Sequence, residues 1–440
     1  MEAIPARPRG SWGRYPRLRP ARVLRAMWRD EAPALADLPG PLLAYGCGRS
    51  YGDSCLNEDG VLIDTTGLDR LMAFGDDGLL RCEAGVTLAQ LLEIVVPRGW
   101  FLPVLPGTRW VTVGGAIAND IHGKNHHRAG TFGAHVARFE LLRSSGERLV
   151  CSPETHRELF EATIGGLGLT GLILWAEIRL HRVASAGIDV ERIRFAGLNE
   201  FLAIAADDPR HEYTVAWVDC LARGRRLGRG IYLRGSHASR VVAQGSPVRG
   251  PRLRIPFDAP NFLLNRVTLS AFNAVQYHRA VRKRATSTVA YEPFFFPLDG
   301  IGEWNRLYGA RGFLQYQCVV PEEADGGAIR AILTRVSGSG ETAGLGVLKR
   351  FGSAASPGLL SFPRPGLTLA IDFAFRGRRT LDLLDELDRL VRDAGGAVYP
   401  AKDARMSLES FRAFFPAWRR FADQVDPKFS SSFWRRVHER

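Results

Sequence analysis

Residues 103–132, PVLPGTRWVTVGGAIANDIHGKNHHRAGTF, constrain the fold more than any other stretch of the chain. Glycines stand at 107, 114, 115, 123 and 130, with Ala116 and Ala118 between them. Glycine is used where backbone takes positive φ or comes very close to something, so this density describes backbone wrapped against a ligand. Residues 110–113 are β-branched and aromatic and read as a strand. The small residues 114–118 then offer peptide N–H groups to a phosphate or a heterocycle. A polar cluster follows at once: Asn119, Asp120, His122, Lys124, Asn125, His126 and His127.

A chain of 440 residues exceeds what one hydrophobic core usually supports, so two domains are expected. The formal net charge of +13 favours anionic partners such as acidic lipid or a phosphorylated substrate. That excess is arginine spread through loops, without zinc pairs, a ribonucleoprotein signature or a basic zipper, so nucleic acid is not an expected partner. Cysteines at 47, 55, 82, 151, 220 and 318 form no C-x-x-C pair and meet no histidine at zinc spacing; reduced thiols and no metal are expected. The arginine-rich N-terminus lacks the apolar stretch of a secretory signal. The most apolar window, 167–175, is too short to span a bilayer. A soluble or peripheral protein facing cytoplasm or periplasm is therefore expected.

In chain order, an arginine-rich arm runs to about residue 37, followed by a strand at 41–46 and a glycine turn, GCGRSYGD, at 46–53. A short strand at 61–64 is expected to lead into a helix starting at Thr or Gly. Another strand at 79–84 leads to Thr87, the N-cap of an amphipathic helix through Val96. Beyond the organising stretch, runs at 136–142 and 148–151 flank a Ser-Ser-Gly turn, a hairpin. Ser152 is expected to open a helix that ends at the glycines of GGLGLTG, 165–171, before a strand at 172–178. Dinucleotide binding of the G-x-G-x-x-G kind needs strand, turn and then helix; the order here is reversed, which excludes a Rossmann domain.

From about residue 181 the segments YTVAWVDC, GRGIYLRG, RGFLQYQCVV and GLTLAIDFAF alternate as strands, with helices expected at 321–337 and 380–394. That pattern is an antiparallel sheet with helices on one side, the α+β class. Within 245–284, Leu263, Leu264, Val267, Leu269, Phe272 and Val275 give an apolar face beside a basic end, the composition of an interfacial helix.

GCGRSYGD at 46–53, PGTRWVTVGGAIANDIHGKNHH at 106–127, GGLGLTG at 165–171 and YPAKDAR at 399–405 resemble the vanillyl-alcohol-oxidase class of FAD-binding oxidoreductases. DIHGKNHH with AKD, WNRLYGARGFLQYQ at 304–317 and LKRFG at 348–352 narrow the resemblance to the flavoprotein subunit of decaprenylphosphoryl-ribose 2′-epimerase, over nearly the whole chain. The resemblance implies a FAD-binding domain of the PCMH type over 1–183, a substrate domain over 184–396, and a segment over 397–440 that returns to the FAD domain. It implies FAD held by Gly46, Cys47, Gly48, Arg49, Ser50 and Tyr51, by Pro106, Gly107, Thr108, Val113, Gly114, Gly115, Ala116, Ala118 and Asn119, and by His122, Gly123 and Asn125. Gly166, Gly171, Ile173, Tyr399, Ala401 and Lys402 complete that set.

Many members of the broad class bond FAD to a histidine in the first glycine loop; Arg49 and Ser50 stand there instead, which implies noncovalent FAD. The implied reaction is hydride transfer from the 2′-carbon of a polyprenylphosphoryl ribose to flavin N5, with a short-chain reductase completing an epimerisation for cell-envelope polysaccharide. An alcohol oxidation needs a base for the hydroxyl proton. His122 is expected in that role, and Lys402 as the cation at the flavin. Tyr51, Lys124, Trp217, Tyr308, Gln315, Gln317 and Lys349 match substrate-facing positions. Where mycobacterial members carry a cysteine targeted by covalent inhibitors, this chain has Ala370, implying insensitivity to thiol-reactive compounds. Within the same broad class, a soluble aldonolactone or alditol oxidase using oxygen is the alternative. Outside it stands a noncatalytic basic protein that docks on anionic membrane or nucleic acid.

Overall fold

Strand Val61–Asp64 lies at the middle of a small sheet, parallel to both Arg22–Arg25 and Leu42–Tyr45. All its residues are buried, as expected for a parallel strand covered on both faces. The computed structural model describes residues 2–3, 9–31, 34–206, 208, 210–240, 250–260, 262–323 and 326–438. Parts of the N-terminal arm (1, 4–8, 32–33) and of the 245–284 region (245–249, 261) therefore lie outside the described residues.

A second, antiparallel sheet runs in the order Leu71–Phe74, Leu79–Glu83, Leu172–Arg179, Val136–Leu142, Arg148–Cys151. The helix Leu88–Val95 packs on it and is opened by a complete capping box. Gln90 N–H donates to Thr87 Oγ1 at 3.3 Å, and Thr87 N–H donates to Gln90 Oε1 at 2.8 Å.

The third sheet is eight-stranded and antiparallel throughout: Arg284–Ala290, Gly187–Phe195, Gly230–His237, Tyr213–Val218, Ala343–Phe351, Gly366–Ala374, Phe313–Val320 and Ala397–Val398. Its two faces are separated by the period-2 alternation of side chains. Val218, Tyr316, Cys318, Leu369 and Phe373 join one core with helices Leu198–Ala206, Gly327–Gly338 and Arg378–Asp393. The alternate positions, among them Trp217, Gln315, Gln317, Lys349, Thr368, Ala370 and Asp372, face a cleft. The chain is thus α+β, with helices on one side of the sheet and the cleft on the other.

After Val398 the chain crosses back. Leu42 N–H donates to Lys428 O at 2.7 Å and Ser430 N–H to Leu42 O at 2.9 Å, while Tyr51 N–H donates to Ala401 O at 2.8 Å. Phe433 and Trp434 of the helix Ser432–His438 are buried beneath that return.

The structure corrects several local expectations. Residues 110–113 are not a strand: Thr112 caps the helix Val113–Ala118, its hydroxyl accepting the Gly115 N–H at 3.1 Å. Packing against Ala84, 3.1 Å from where a Gly114 Cβ would stand, overrides the poor helix propensity of two glycines. No helix follows 61–64; Thr65–Leu68 closes a turn, and the chain continues into Leu71–Phe74. Ser152 makes a side-chain turn with Glu154 and Thr155, so the helix starts only at Arg157. The helix expected from residue 321 begins at Gly327.

Candidate active site

The cleft has a volume of about 1140 Å³. It is walled by the loop 46–51, residues 106–108, the start of the 113–118 helix, the 121–124 turn and the polar face of the large sheet, and closed by Tyr399, Ala401 and Lys402. The N–H groups of Cys47, Gly48, Arg49 and Ser50 donate to no acceptor among the described residues. Gly48 takes φ 60°, and a Cβ there would stand 2.1 Å from the Tyr45 hydroxyl. Arg49 lies 4.2 Å above the Trp12 ring, its Nε buried without a hydrogen-bond partner. Consecutive free N–H groups beside a half-buried guanidinium suit a diphosphate, so the residues present fit FAD.

Across the cleft, Gln317 Nε2 donates to His122 Nε2 at 2.8 Å and approaches Thr368 Oγ1 at 3.3 Å. The imidazole proton then resides on Nδ1, which is buried without a partner. Two residues along the same strand face, Gln315 donates to Asp372 Oδ1 at 2.6 Å, and Tyr308 Oη donates to the other oxygen at 3.3 Å. Lys402 Nζ sits 3.7 Å over the Tyr51 ring. Lys124 Nζ donates to Phe295 O at 3.0 Å.

Burial sets the electrostatics here. It pushes Lys402 down to about 7, against the opposing pull of Asp372 and with help from Lys349. Burial likewise lowers Lys124 to about 7, with Lys349 adding to the shift, and Lys349 itself to about 8. Asp372 rises to about 6, again chiefly through burial, opposed by Gln315, Lys402 and Tyr308. Burial, and then Lys349, His126 and Lys402, hold His122 well below the usual histidine range. The cleft therefore presents cations that an anionic ligand would stabilise, beside amines that can exchange protons near neutrality.

Most of the residues implied by the resemblance line this one cleft. Val113, Ala116, Asn125 and Gly166 do not. Val113 and Ala116 face the core, and Asn125 spends its amide on Pro103 O at 2.8 Å. A Cβ on Gly166 would stand 2.0 Å from Ala162 O, so that glycine serves packing. Tyr308 stands behind the wall and acts on it through Asp372. His126 accepts the Gly352 N–H at 3.2 Å and His127 lies 3.0 Å from His211 O, and neither lines the cleft. Asp372 and Thr368 escaped sequence reasoning. The signal was there: they alternate with buried apolar residues in GLTLAIDFAF, polar at the positions that share a face.

A family model described as an FAD binding domain matches residues 34–152. The decaprenylphosphoryl-beta-D-ribose oxidase of Mycolicibacterium smegmatis is 40% identical over 413 residues, covering 90% of this chain and 89% of that protein. An uncharacterized protein of Streptomyces coelicolor is 38% identical over 80% of this chain and its own full length. Likeness to a putative D-arabinono-1,4-lactone oxidase of Neurospora crassa is 31% and spans only 29% of this chain and 23% of that protein. The similarity to the ribose oxidase runs through 90% of this chain, whereas that to the lactone oxidase covers 29%, which sets aside the noncatalytic reading and favours this family over the sugar-lactone oxidases. The chain is an FAD-dependent oxidoreductase and belongs to the decaprenylphosphoryl-beta-D-ribose oxidase family.

Proposed function

We propose that the protein oxidises the 2′-hydroxyl of a polyprenylphosphoryl-β-D-ribose to the 2′-ketone. The observation that carries the reading is the convergence of Lys402, the His122–Gln317 pair and the Gln315–Asp372 pair on the cleft that the 46–51 loop opens into. Bound FAD supplies the hydride acceptor. The residues around it hold the sugar and move its proton. His122 was expected as the base, but its Nε2 lone pair receives the Gln317 amide and its basicity is depressed by burial. Lys402 is better matched: a proton acceptor works best when its pKa lies near the operating pH. Its neutral amine takes the hydroxyl proton as C2′ loses hydride, and the resulting ammonium offsets the negative charge left by the transfer. Lys124 and Lys349 supply the charge to meet the phosphate, while His122 and Gln317 orient the hydroxyl.

The ketone can be trapped with borodeuteride after turnover. Deuterium at C2′, in both ribo and arabino products, is the expected result; label at another carbon would refute the assignment. A short-chain reductase acting on this ketone would complete the epimerisation.

FAD is held here without a covalent bond. The 46–53 loop has no histidine, and burial raises the Cys47 and Cys55 thiols, keeping them protonated. Acid precipitation is expected to leave the yellow colour in the supernatant; flavin in the pellet would contradict it.

The cleft mouth also suits a lipid substrate. Helix Arg266–His278 is fixed by Leu269 and by Asn273, which donates to Asp219 at 2.8 Å. Phe262, Val267 and Val275 remain exposed outside, and Phe272 and Gln276 line the cleft. Arg279, Arg282, Lys283 and Arg284 follow directly. Among the described residues no helix is long and apolar enough to cross a membrane. This face would instead rest on an anionic bilayer. Co-sedimentation with phosphatidylglycerol vesicles, weakened by salt and lost in Val267→Glu/Val275→Glu, is expected. Equal sedimentation of the double variant would remove the helix from the contact.

A further inference from the structure

Outside the lining of the cleft, three side chains meet that the oxidation does not use. His181 belongs to the short strand His181–Arg182, paired with Trp100–Phe101 beside the flavin loops. Glu212 immediately precedes the strand Tyr213–Val218, and His237 ends the strand Gly230–His237, both in the large sheet. One ligand atom from each lies within 4.8 Å of the others. His181 Nε2 is 3.8 Å from Glu212 Oε1 and is buried with no hydrogen-bond partner.

His237 is held in the orientation that metal-binding imidazoles use. Its Nδ1–H donates to Ser185 O at 2.7 Å, which fixes the proton there and makes Nε2 the acceptor of the Tyr213 hydroxyl at 3.1 Å, a hydrogen bond that a metal at Nε2 would displace. Phe101 packs edge-on against both imidazoles, with ring centroids 6.0 and 4.7 Å away. Burial keeps both histidines below their usual range, in the neutral form that ligates metal. Around a tetrahedral zinc, ligand atoms at roughly 2.0–2.2 Å from the metal stand closer together than they do here. The His181 and Glu212 side chains, 33% and 29% exposed, have room to close that gap while His237 stays fixed.

We propose that His181, Glu212 and His237 form a binding site for a divalent cation of the zinc class, tying the strand pair beside the flavin loops to the substrate sheet. Two imidazoles and a carboxylate are a zinc donor set, with a fourth position left to water or the Tyr213 hydroxyl. The strand that Glu212 leads into begins with Tyr213, and the next N–H, of Thr214, donates to Lys124 O at 2.8 Å. The clamp would thus steady the turn that carries Lys124 without entering the reaction.

The test uses tag-free, FAD-loaded full-length protein, treated with chelator and then dialysed against zinc chloride. About one equivalent of bound zinc and a concentration-dependent rise in melting temperature are expected. His181→Gln and Glu212→Gln should each keep the yellow flavin spectrum, which reports folding, and weaken zinc binding by about tenfold or more, the scale set by losing a group that shapes a metal site. Wild-type binding well below one equivalent would overturn the proposal on its own, whatever the variants do. Undiminished zinc binding in both variants would overturn it equally.

Discussion

Lys402→Met should bind FAD as the parent does yet reduce it with substrate on the order of 10²–10⁴-fold more slowly, the range for loss of a positioned proton-transfer group. Methionine keeps the stem that packs over Tyr51, with Nζ now 3.7 Å from the ring centroid, and removes only the amine. Lys402→Arg separates two roles. Arginine keeps the cation but stays protonated throughout the working range, so it should be about as slow as methionine if the proton is what matters. The pH profile gives an independent reading. Burial lowers the Lys402 pKa to about 7, so the amine becomes available as pH rises through that value, and kcat/KM for flavin reduction should climb across it. A base at His122, held well below the usual histidine range, would instead leave the profile flat between pH 6 and 8. A flat profile together with an active arginine variant would return the proton to another group.

Arg405→Met is expected to destabilise the protein by about 3–5 kcal/mol, the cost of leaving one member of a buried ion pair alone. Arg405 is only 8% exposed and reaches Asp388 at 2.7 and 2.9 Å and Asp385 at 2.8 Å. Asp388 would be left with the Tyr316 hydroxyl at 3.1 Å as its remaining donor among the described contacts. The neighbouring Arg436 bonds both Asp53 and Asp403, so these pairs fasten the segment bearing Lys402 to the loop that follows Tyr51. The variant should therefore lose its flavin at a lower temperature, with a melting shift of several degrees. Arg405→Met/Asp388→Leu should recover most of the loss, because a buried pair replaced by apolar side chains costs little. A single variant that melts like the parent would show that the pair carries no net stability.

Much of this was legible in the sequence. The glycine loops stand out as local motifs, whereas Lys402 is singled out only by the resemblance that YPAKDAR at 399–405 carries. The alternation of Gln315 and Gln317 within an apolar strand places both on one wall, where they are found. What sequence could not show depended on contacts distant along the chain. Thr112 reads as part of a strand until Ala84 is seen beneath the glycines. His122 looks like a base until the Gln317 amide occupies its lone pair. Asp372 has no motif, yet its face of the strand puts it beside Gln315. The His181–Glu212–His237 cluster comes from three separate segments and has no spacing signature at all.

Anaerobic mixing of the oxidised protein with polyprenylphosphoryl ribose tests the central claim most directly. Loss of the flavin band at about 450 nm reports hydride transfer to the cofactor. The account predicts bleaching by the lipid-linked ribose, and none by free alditols or aldonolactones. Bleaching by the free sugars, with the lipid-linked ribose inert, would contradict it.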